Sequence, residues 1–306
     1  MIFKDSKELA ATTGNYFANN NFDKVRPYLE AASLSLAKII GAETIKKAED
    51  IYLATEPSET DAELLKIIQH PIAIMGTLQL YRHNDIAHED TGRKVKIDAD
   101  KEKLPWEWQL NRDDDIMLND YYDAVDNLLI YLEDKKIDTW LVQKTRIGFK
   151  SLLLPDSNAF SRFWNIDSPR IFIQLLPLIK EAQRRWLVPA YGKEDFEELL
   201  LTVQNNKAYT VPAYEYAANA LVLYTMHLAF KRGIFSIIPQ GIIQKNLQSD
   251  GTFKGESISY STLNKYTEYL RHEADILLDD MKIIKQGPQT YELLPNNDKN
   301  NKYMIL

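Results

Sequence analysis

The sequence contains no cysteine, and that single absence removes disulfides, thiolate zinc sites and cysteine nucleophiles together. Glycine is scarce, at 11 of 306 residues. None of the glycines falls in a GxGxxG, GxxxxGKS or GxxxxGKT arrangement, so the phosphate-cradling loops of nucleotide enzymes are missing. Gly-x-Ser-x-Gly, the elbow of serine hydrolases, is absent as well. The five histidines form no HExxH or comparable ligand spacing. No apolar run approaches the roughly 20 residues that span a bilayer. Met1-Ile2-Phe3-Lys4-Asp5-Ser6 has no basic segment followed by an apolar one, so synthesis and folding in the cytosol are expected. Positive charge is also short: 37 Lys and Arg stand against 44 Asp and Glu, for a formal charge of -7 and a pI near 5.4. That balance argues against a protein that grips duplex nucleic acid, whose contact face should be basic.

What remains is architecture. A chain with 45% hydrophobic and 26% charged residues is ordinary for a globular protein, and at this length it needs neither disulfide nor metal to hold a core. A duplication runs through it with an offset near 150 residues. Met1-Ile2-Phe3-Lys4-Asp5-Ser6 reads again as Leu152-Leu153-Leu154-Pro155-Asp156-Ser157. Val25, Leu29, Ala32, Leu36 and Ile40 follow the same 4, 3, 4, 4 spacing as Leu175, Ile179, Ala182, Trp186 and Ala190, the apolar stripe of an amphipathic helix. Each stripe carries a proline in its first turns, Pro27 and Pro177, and closes on a glycine, Gly41 and Gly192.

A second helix follows in each half, Leu64 to Tyr81 and Tyr214 to Phe230, the latter apolar on nearly all sides and so expected to be buried. The third helices carry Tyr121, Val125, Leu128 and Leu132, and Leu263, Tyr266, Leu270, Ala274, Leu277 and Met281. Between the second and third helices the period changes, with β-branched or alternating runs near Arg93–Asp98 and Ile234–Ile243 that read as extended arms or short hairpins. Beyond the last helix, Gly287-Pro288 is a breaker. Thr290 to Leu294 suits a short strand, Asn296 to Asn301 is polar, and Tyr303-Met304-Ile305-Leu306 is apolar. The expected fold is therefore mainly α: two related three-helix modules arising by tandem duplication, with short β arms and an extended C-terminal tail. The boundaries are 1–150, with an arm near 91–112; 151–281, with an arm near 233–246; and a docking tail over 282–306.

Chemistry is sparse. His83 and His88 have Asp85, Glu89 and Asp90 nearby, but side chains five apart on a helix diverge by about 140°, and a polar helix end accounts for them. His227, in the most apolar helix, reads as a core histidine with its polar atoms satisfied. Asp113-Asp114-Asp115 are read as preceding a helix, where negative charge complements the macrodipole. Arg184-Arg185 and Lys144-Thr145-Arg146 are too short for a nucleic-acid patch. No catalytic residue, metal or cofactor is expected. Trp106 and Trp108 would share one face of a strand, and two readings stay open: an aromatic anchor for a protein interface, or rings packed back on their own helices.

Several segments carry a family resemblance. They are Met1-Ile2-Phe3-Lys4-Asp5-Ser6-Lys7-Glu8-Leu9, the helix from Pro27-Tyr28-Leu29-Glu30-Ala31-Ala32 to Gly41, and Pro177-Leu178-Ile179-Lys180-Glu181-Ala182-Gln183-Arg184-Arg185-Trp186. The stretch from Thr91-Gly92-Arg93 through Leu104-Pro105-Trp106-Glu107-Trp108 to Arg112-Asp113-Asp114 is more specific, and resembles uncharacterised proteins of phages and prophages of Bacteroides-type hosts. The sequence resembles neck proteins of tailed-bacteriophage virions, the head–tail adaptor (head-completion, connector) class, as found in phages and prophages of Bacteroides-type hosts. Such adaptors have about half this length and one helical module, so the duplication is a departure.

The resemblance implies a non-enzymatic structural protein of the virion neck, assembled in the host cytoplasm. It would form a homo-oligomeric ring of about twelve copies whose heterologous contacts close on themselves. It would bind the portal and adjacent neck or tail proteins and let DNA pass without specific binding, with no membrane contact. On that reading Trp106, Trp108, Tyr291, Leu293, Leu294, Tyr303, Met304, Ile305 and Leu306 are the interface residues. The alternatives are a cytosolic α-helical scaffold that binds another protein, and a metal-dependent hydrolase built on His83 and His88.

Overall fold

The computed structural model describes residues 1–14, 16, 18–85, 87–89, 92–94, 106–205, 207, 210–232, 243–247, 253–257 and 259–286. The protein is mainly helical. The chain divides into two compact units, Met1–Phe149 with Ser168–Ile173, and Lys150–Asp167 with Gln174–Leu306. Among the described residues no helix is long and apolar enough to cross a membrane.

The first unit begins with α1 (Ser6–Thr13), which starts where the Asp5 side chain accepts hydrogen bonds from the backbone N–H groups of Lys7 and Glu8. Such a cap satisfies donors that the first turn leaves orphaned. Helices α2 (Phe22–Ile40) and α3 (Ala42–Leu53) follow, joined only by Gly41 at φ 93° and ψ 145°. A side chain there would be strained, which is why the chain can turn so sharply between two helices. All five residues of the α2 stripe, Val25, Leu29, Ala32, Leu36 and Ile40, are buried. Pro27 is the sixth residue of α2, beyond the first turn. The expectation that its missing N–H costs little is therefore corrected: it forfeits an intrahelical bond.

Helix α4 (Glu59–Asn84) packs against α1, α2 and α3. Gly76 sits against Leu29, so that a Cβ there would lie 2.6 Å from Leu29 Cδ2 and 3.2 Å from Leu29 Cα. A short antiparallel hairpin, β1 (Ala87–Glu89) with β2 (Gly92–Lys94), pairs His88 with Arg93. Then α5 (Glu107–Asp134) packs along α4, burying Met117, Tyr121, Val125, Leu128 and Leu132. Two short helices, α6 (Asp138–Leu141) and α7 (Lys144–Ile147), and a 3-10 turn (Gly148–Ser151) lead out of the unit. Trp140 of α6 is buried, its indole N–H donating to Glu133 at 2.7 Å.

The second unit opens on buried Leu152, Leu153 and Leu154, pinned by Gln183, whose side chain accepts from Leu153 N at 2.9 Å and donates to Ser151 O at 2.8 Å. Helix α8 (Ser157–Ser161) is capped by Asp156. Helix α9 (Pro169–Ala182) runs into a π-helical turn over Gln183–Leu187 and then α10 (Val188–Tyr191). Gly192, at φ 92° and ψ 135°, connects directly to α11 (Lys193–Gln204). Helix α12 (Ala213–Lys231) is buried on nearly every side and packs against α13 (Tyr260–Gln286). A second hairpin, β3 (Ile243–Leu247) with β4 (Phe253–Ser257), precedes α13.

The three-helix count per module needs correction. Helices α3 and α11 add to it: Gly41 and Gly192 end one helix as expected, but each is also the N-cap of the next. The π turn corrects a second expectation. Leu175, Ile179 and Ala182 are buried, but after the turn the core positions are Leu187 and Tyr191, while Trp186 and Ala190 are half-buried. A π turn accommodates one extra residue, so everything beyond it shifts by one. In α13 the buried stripe is Thr267, Leu270, Ala274, Leu278 and Met281; Tyr266 is exposed and Leu277 half-buried. The expected arm near 91–112 is corrected from Glu107 onward, which is helical, and 95–105 lie outside the described residues, as do 233–242 of the other arm. The expected tail loses 282–286 to α13, and 287–306 lie outside the described residues.

Candidate functional site

Trp106 is not in a strand: it is the N-cap residue of α5, and Trp108 is in the first turn. The chain turns into helix there because the Gln109 side chain reaches back to accept from the Trp106 N–H at 2.9 Å. The two rings meet edge to face with centroids 6.3 Å apart and remain 70% and 55% exposed. Of the two open readings, packing back onto the body is thus corrected by this exposure. Tyr291, Leu293, Leu294, Tyr303, Met304, Ile305 and Leu306 lie outside the described residues.

The α5 helix begins at Glu107, ahead of the aspartate run, so Asp113, Asp114 and Asp115 are its seventh to ninth residues, in the second and third turns, and do not cap it. Asp114 instead pairs with Arg82 at 2.7 Å. On the side of α5 opposite its buried stripe, Trp108, Ile116 and Ile130 are exposed. Beside them, between α4 and α5, lies a cleft of about 230 Å³ lined by Thr13, His70, Ile74, Met117, Asp120, Asp123, Ala124 and Asn127. His70 Nδ1 lies 3.2 Å from the Thr12 carbonyl.

Further along α5, Asp126 is built into the fold. Its carboxylate accepts from Ser168 Oγ at 2.7 Å and from Arg170 N at 2.8 Å, while Ser168 Oγ accepts from Ile171 N at 3.1 Å. A carboxylate from α5 and the Ser168 hydroxyl therefore cap α9 between them. Burial raises the Asp126 pKa above the ordinary aspartate value, against the opposing pull of Ser168, the Arg170 N–H and the Arg170 charge. The Arg170 guanidinium lies 4.0 Å over the Tyr122 ring.

In the second unit the π turn presents Trp186, which stacks on Tyr224 at 4.5 Å and 15°. The Arg185 guanidinium lies 4.8 Å from its ring and His227 stands edge-on at 6.1 Å. The Tyr224 hydroxyl donates to Asp275, and burial together with that carboxylate drives its pKa up. His227 is buried, with Nδ1 donating to the Thr267 carbonyl at 2.7 Å, a core histidine with a satisfied polar atom. Arg232 clamps Glu181 through both guanidinium nitrogens at 2.8 and 2.6 Å and lowers its pKa.

Helix α13 has an outward stripe besides its buried one. Tyr269, Ile276 and Ile283 are exposed and spaced seven apart. Its seven-residue repeat overlaps the 3, 4 pattern from Leu263 to Met281, which masks it in the sequence. Among the described residues no three His, Asp or Glu side chains converge as metal ligands. His83 stacks near Tyr28 at 5.2 Å, and His88 is on β1, of which only the backbone is described.

No family model matches the chain, and no match was found among curated proteins or solved structures.

Proposed function

We propose that the protein is a non-enzymatic assembly subunit of the head–tail connector class: a ring-forming neck protein of a tailed-phage virion, put together in the host cytoplasm, that binds the portal and adjacent neck or tail proteins and lets DNA pass. The observation that carries this reading is the pair of outward apolar stripes, Trp108, Ile116 and Ile130 on α5, and Tyr269, Ile276 and Ile283 on α13. Large side chains aligned on the solvent side of a helix do nothing for the subunit's own core, and such faces mark contact with another protein. Two different faces on one subunit suit a heterologous contact that closes into a ring. Trp106, Trp108 and the tail residues Tyr291, Leu293, Leu294, Tyr303, Met304, Ile305 and Leu306 serve as contacts with neighbours.

We further propose a tandem duplication, of modules with more helices than three. Asp5 and Asp156 cap their helices at φ -155°, ψ 170° and φ -154°, ψ 174°. Gly41 and Gly192 share one unusual backbone conformation, and each opens a helix of 12 residues. Ile45 and Ala48 of α3 correspond to Phe196 and Leu199 of α11 at an offset of 151, all four buried. The π turn then reads as one residue inserted in the second copy.

Light scattering on the purified chain, alone and with portal-containing virion extract, tests the assembly reading. A closed ring of about a dozen copies in either condition is expected. A chain that stays monomeric in both overturns it and favours a scaffold for another protein.

A further inference from the structure

The two stripes differ in charge, and that decides what can cover them. Helix α5, Glu107–Asp134, carries nine carboxylates and one basic residue, Arg112. Two copies of α5 laid face to face would therefore repel, which argues against an isologous α5 contact. Helix α13 carries four basic and five acidic residues and can approach α5 without that penalty.

The spacing is more specific. On α13, Lys265, Tyr269, Ile276 and Ile283 fall within about 40° of one another around the helix, and all four are exposed. Lys265 has no hydrogen bond or ion pair among the described residues. On α5, Asp120 and Asp123 line the 230 Å³ cleft, and neither has an ion-pair partner among the described residues. Next to them lie Ile116 and, eight residues before it, Trp108. Intervals of 4 and 7 residues on α13 (Lys265 to Tyr269 to Ile276) thus answer intervals of 4 and 8 on α5 (Asp120 to Ile116 to Trp108). In rise these are about 6 and 10.5 Å against about 6 and 12 Å. The order reverses between the helices, so the match is antiparallel.

From this juxtaposition we infer that α13 of one copy docks antiparallel on α5 of a second copy, with Lys265 entering the acidic cleft at Asp120 and Asp123, Tyr269 against Ile116 and Ile276 against Trp108. The contact deepens the assembly reading and rests on it only for self-association. It joins two different faces, so each copy keeps one face of each kind available for the next, as propagation or ring closure requires. Its ionic part lies at a partly open cleft and weakens with salt, while the aromatic and aliphatic pairs supply the apolar anchor.

The absence of cysteine makes the test direct. Lys265→Cys and Asp120→Cys are prepared separately, both at exposed positions, and their folding is checked by circular dichroism. They are then mixed under mild oxidant and resolved without reductant. A covalent dimer is expected from the mixture and from neither variant alone, and the double variant should give a ladder. A mixture that cross-links no more than its components overturns the inference, as does a dimer from either variant by itself. A cross-link that forms only after residues 287–306 are removed would put the chain's own tail on the stripe, and overturns it too. Independently, Lys265→Glu should weaken association at least about tenfold, and adding Asp120→Lys with Asp123→Lys should restore it. Closed rings without the cross-link sink the α5–α13 contact and leave the connector reading standing; cross-linked open chains do the reverse.

Discussion

The two units place the same caps and the same glycine hinges at matching points, yet they spend their sequences differently. In the first unit α2 stays regular through Leu36 and Ile40, and α4 approaches it through Gly76 against Leu29. In the second unit the corresponding helix is broken by a π turn, and α12 is buried on nearly all sides without a glycine. Charge is divided as unequally. Residues 1–149 hold 19 of the 37 Lys and Arg but 27 of the 44 Asp and Glu, so the acidic excess lies in the first unit and the second is close to neutral. If the units descend from one module, the core plan has been kept while the surface and one helical register have diverged.

Single-residue deletions should break this comparison most sharply. Removing Leu34 from α2 rotates the rest of the helix by about 100° and carries Leu36 and Ile40 out of the core, each worth roughly 1.5–3 kcal/mol of burial. Loss of the first unit's unfolding transition is the expected result. Removing Arg184 from the π turn should instead relax it to regular α-helix with Leu187 and Tyr191 still inside, at a cost within about 1 kcal/mol. Urea unfolding followed by circular dichroism measures both. Equal damage from the two deletions would show that the π turn is not a one-residue insertion.

Gly76→Ala comes next. Its Cβ would meet Leu29 at 2.6 Å, with the Leu29 backbone only 3.2 Å away, so moving the leucine side chain relieves only part of the clash. Overpacking of that kind costs about 1–3 kcal/mol, and the lost stability should appear in the first unit. A fully stable Gly76→Ala protein would mean that α2 and α4 are not held at this spacing by the glycine.

How far the sequence could be read follows from these same residues. The α2 stripe was legible because a regular helix repeats every 3.6 residues, and the burial of α12 because it has no polar face. The second stripe was legible only as far as Ala182, since no periodicity argument anticipates where a helix absorbs an extra residue. Helix α3 was hidden by Gly41, which ends one helix and starts another, a double role composition does not reveal. Alternation over three residues suggests a strand at Trp106 and Trp108, and the Gln109 cap, a local side-chain bond, overrides it. The cleft at Asp120 and Asp123 depends on the packing of α4 against α5, a long-range fact that a single sequence does not carry.

The glycine hinges offer a finer comparison. Both have φ near 92°, where any other residue is strained by about 1–3 kcal/mol. At Gly41 a new Cβ would also come within 2.6 Å of Gln143 Nε2, whereas at Gly192 the nearest atom is Asp195 Oδ2 at 3.5 Å. Gly41→Ala should therefore destabilise more than Gly192→Ala, and Gln143→Ala in the Gly41→Ala background should remove the excess. If the two alanine variants melt together, the strain is all backbone and the Gln143 contact contributes nothing.

The smallest effects are in pH, and the two units should respond with opposite sign. Burial holds the Asp126 carboxyl above its ordinary pKa, so the folded chain keeps that proton at a pH where the unfolded chain has released it. The folded state then binds more protons, and stability falls as pH rises from the unfolded value through the folded one. Glu181 is held below its ordinary value by the Arg232 clamp; its contribution is present above the unfolded value and is lost as pH falls through the folded one. Asp126→Asn can still accept from Arg170 N, so it should remove the decline on rising pH with little other change. Glu181→Gln should instead flatten the loss on acidification. Melting each variant from pH 3 to pH 7, which runs from about one unit below to about three units above the ordinary carboxylate values, separates them. Parallel profiles for the two would mean that Asp126 is solvated well enough in solution to ionise freely, and that its bonds to Ser168 and Arg170 N outweigh its burial.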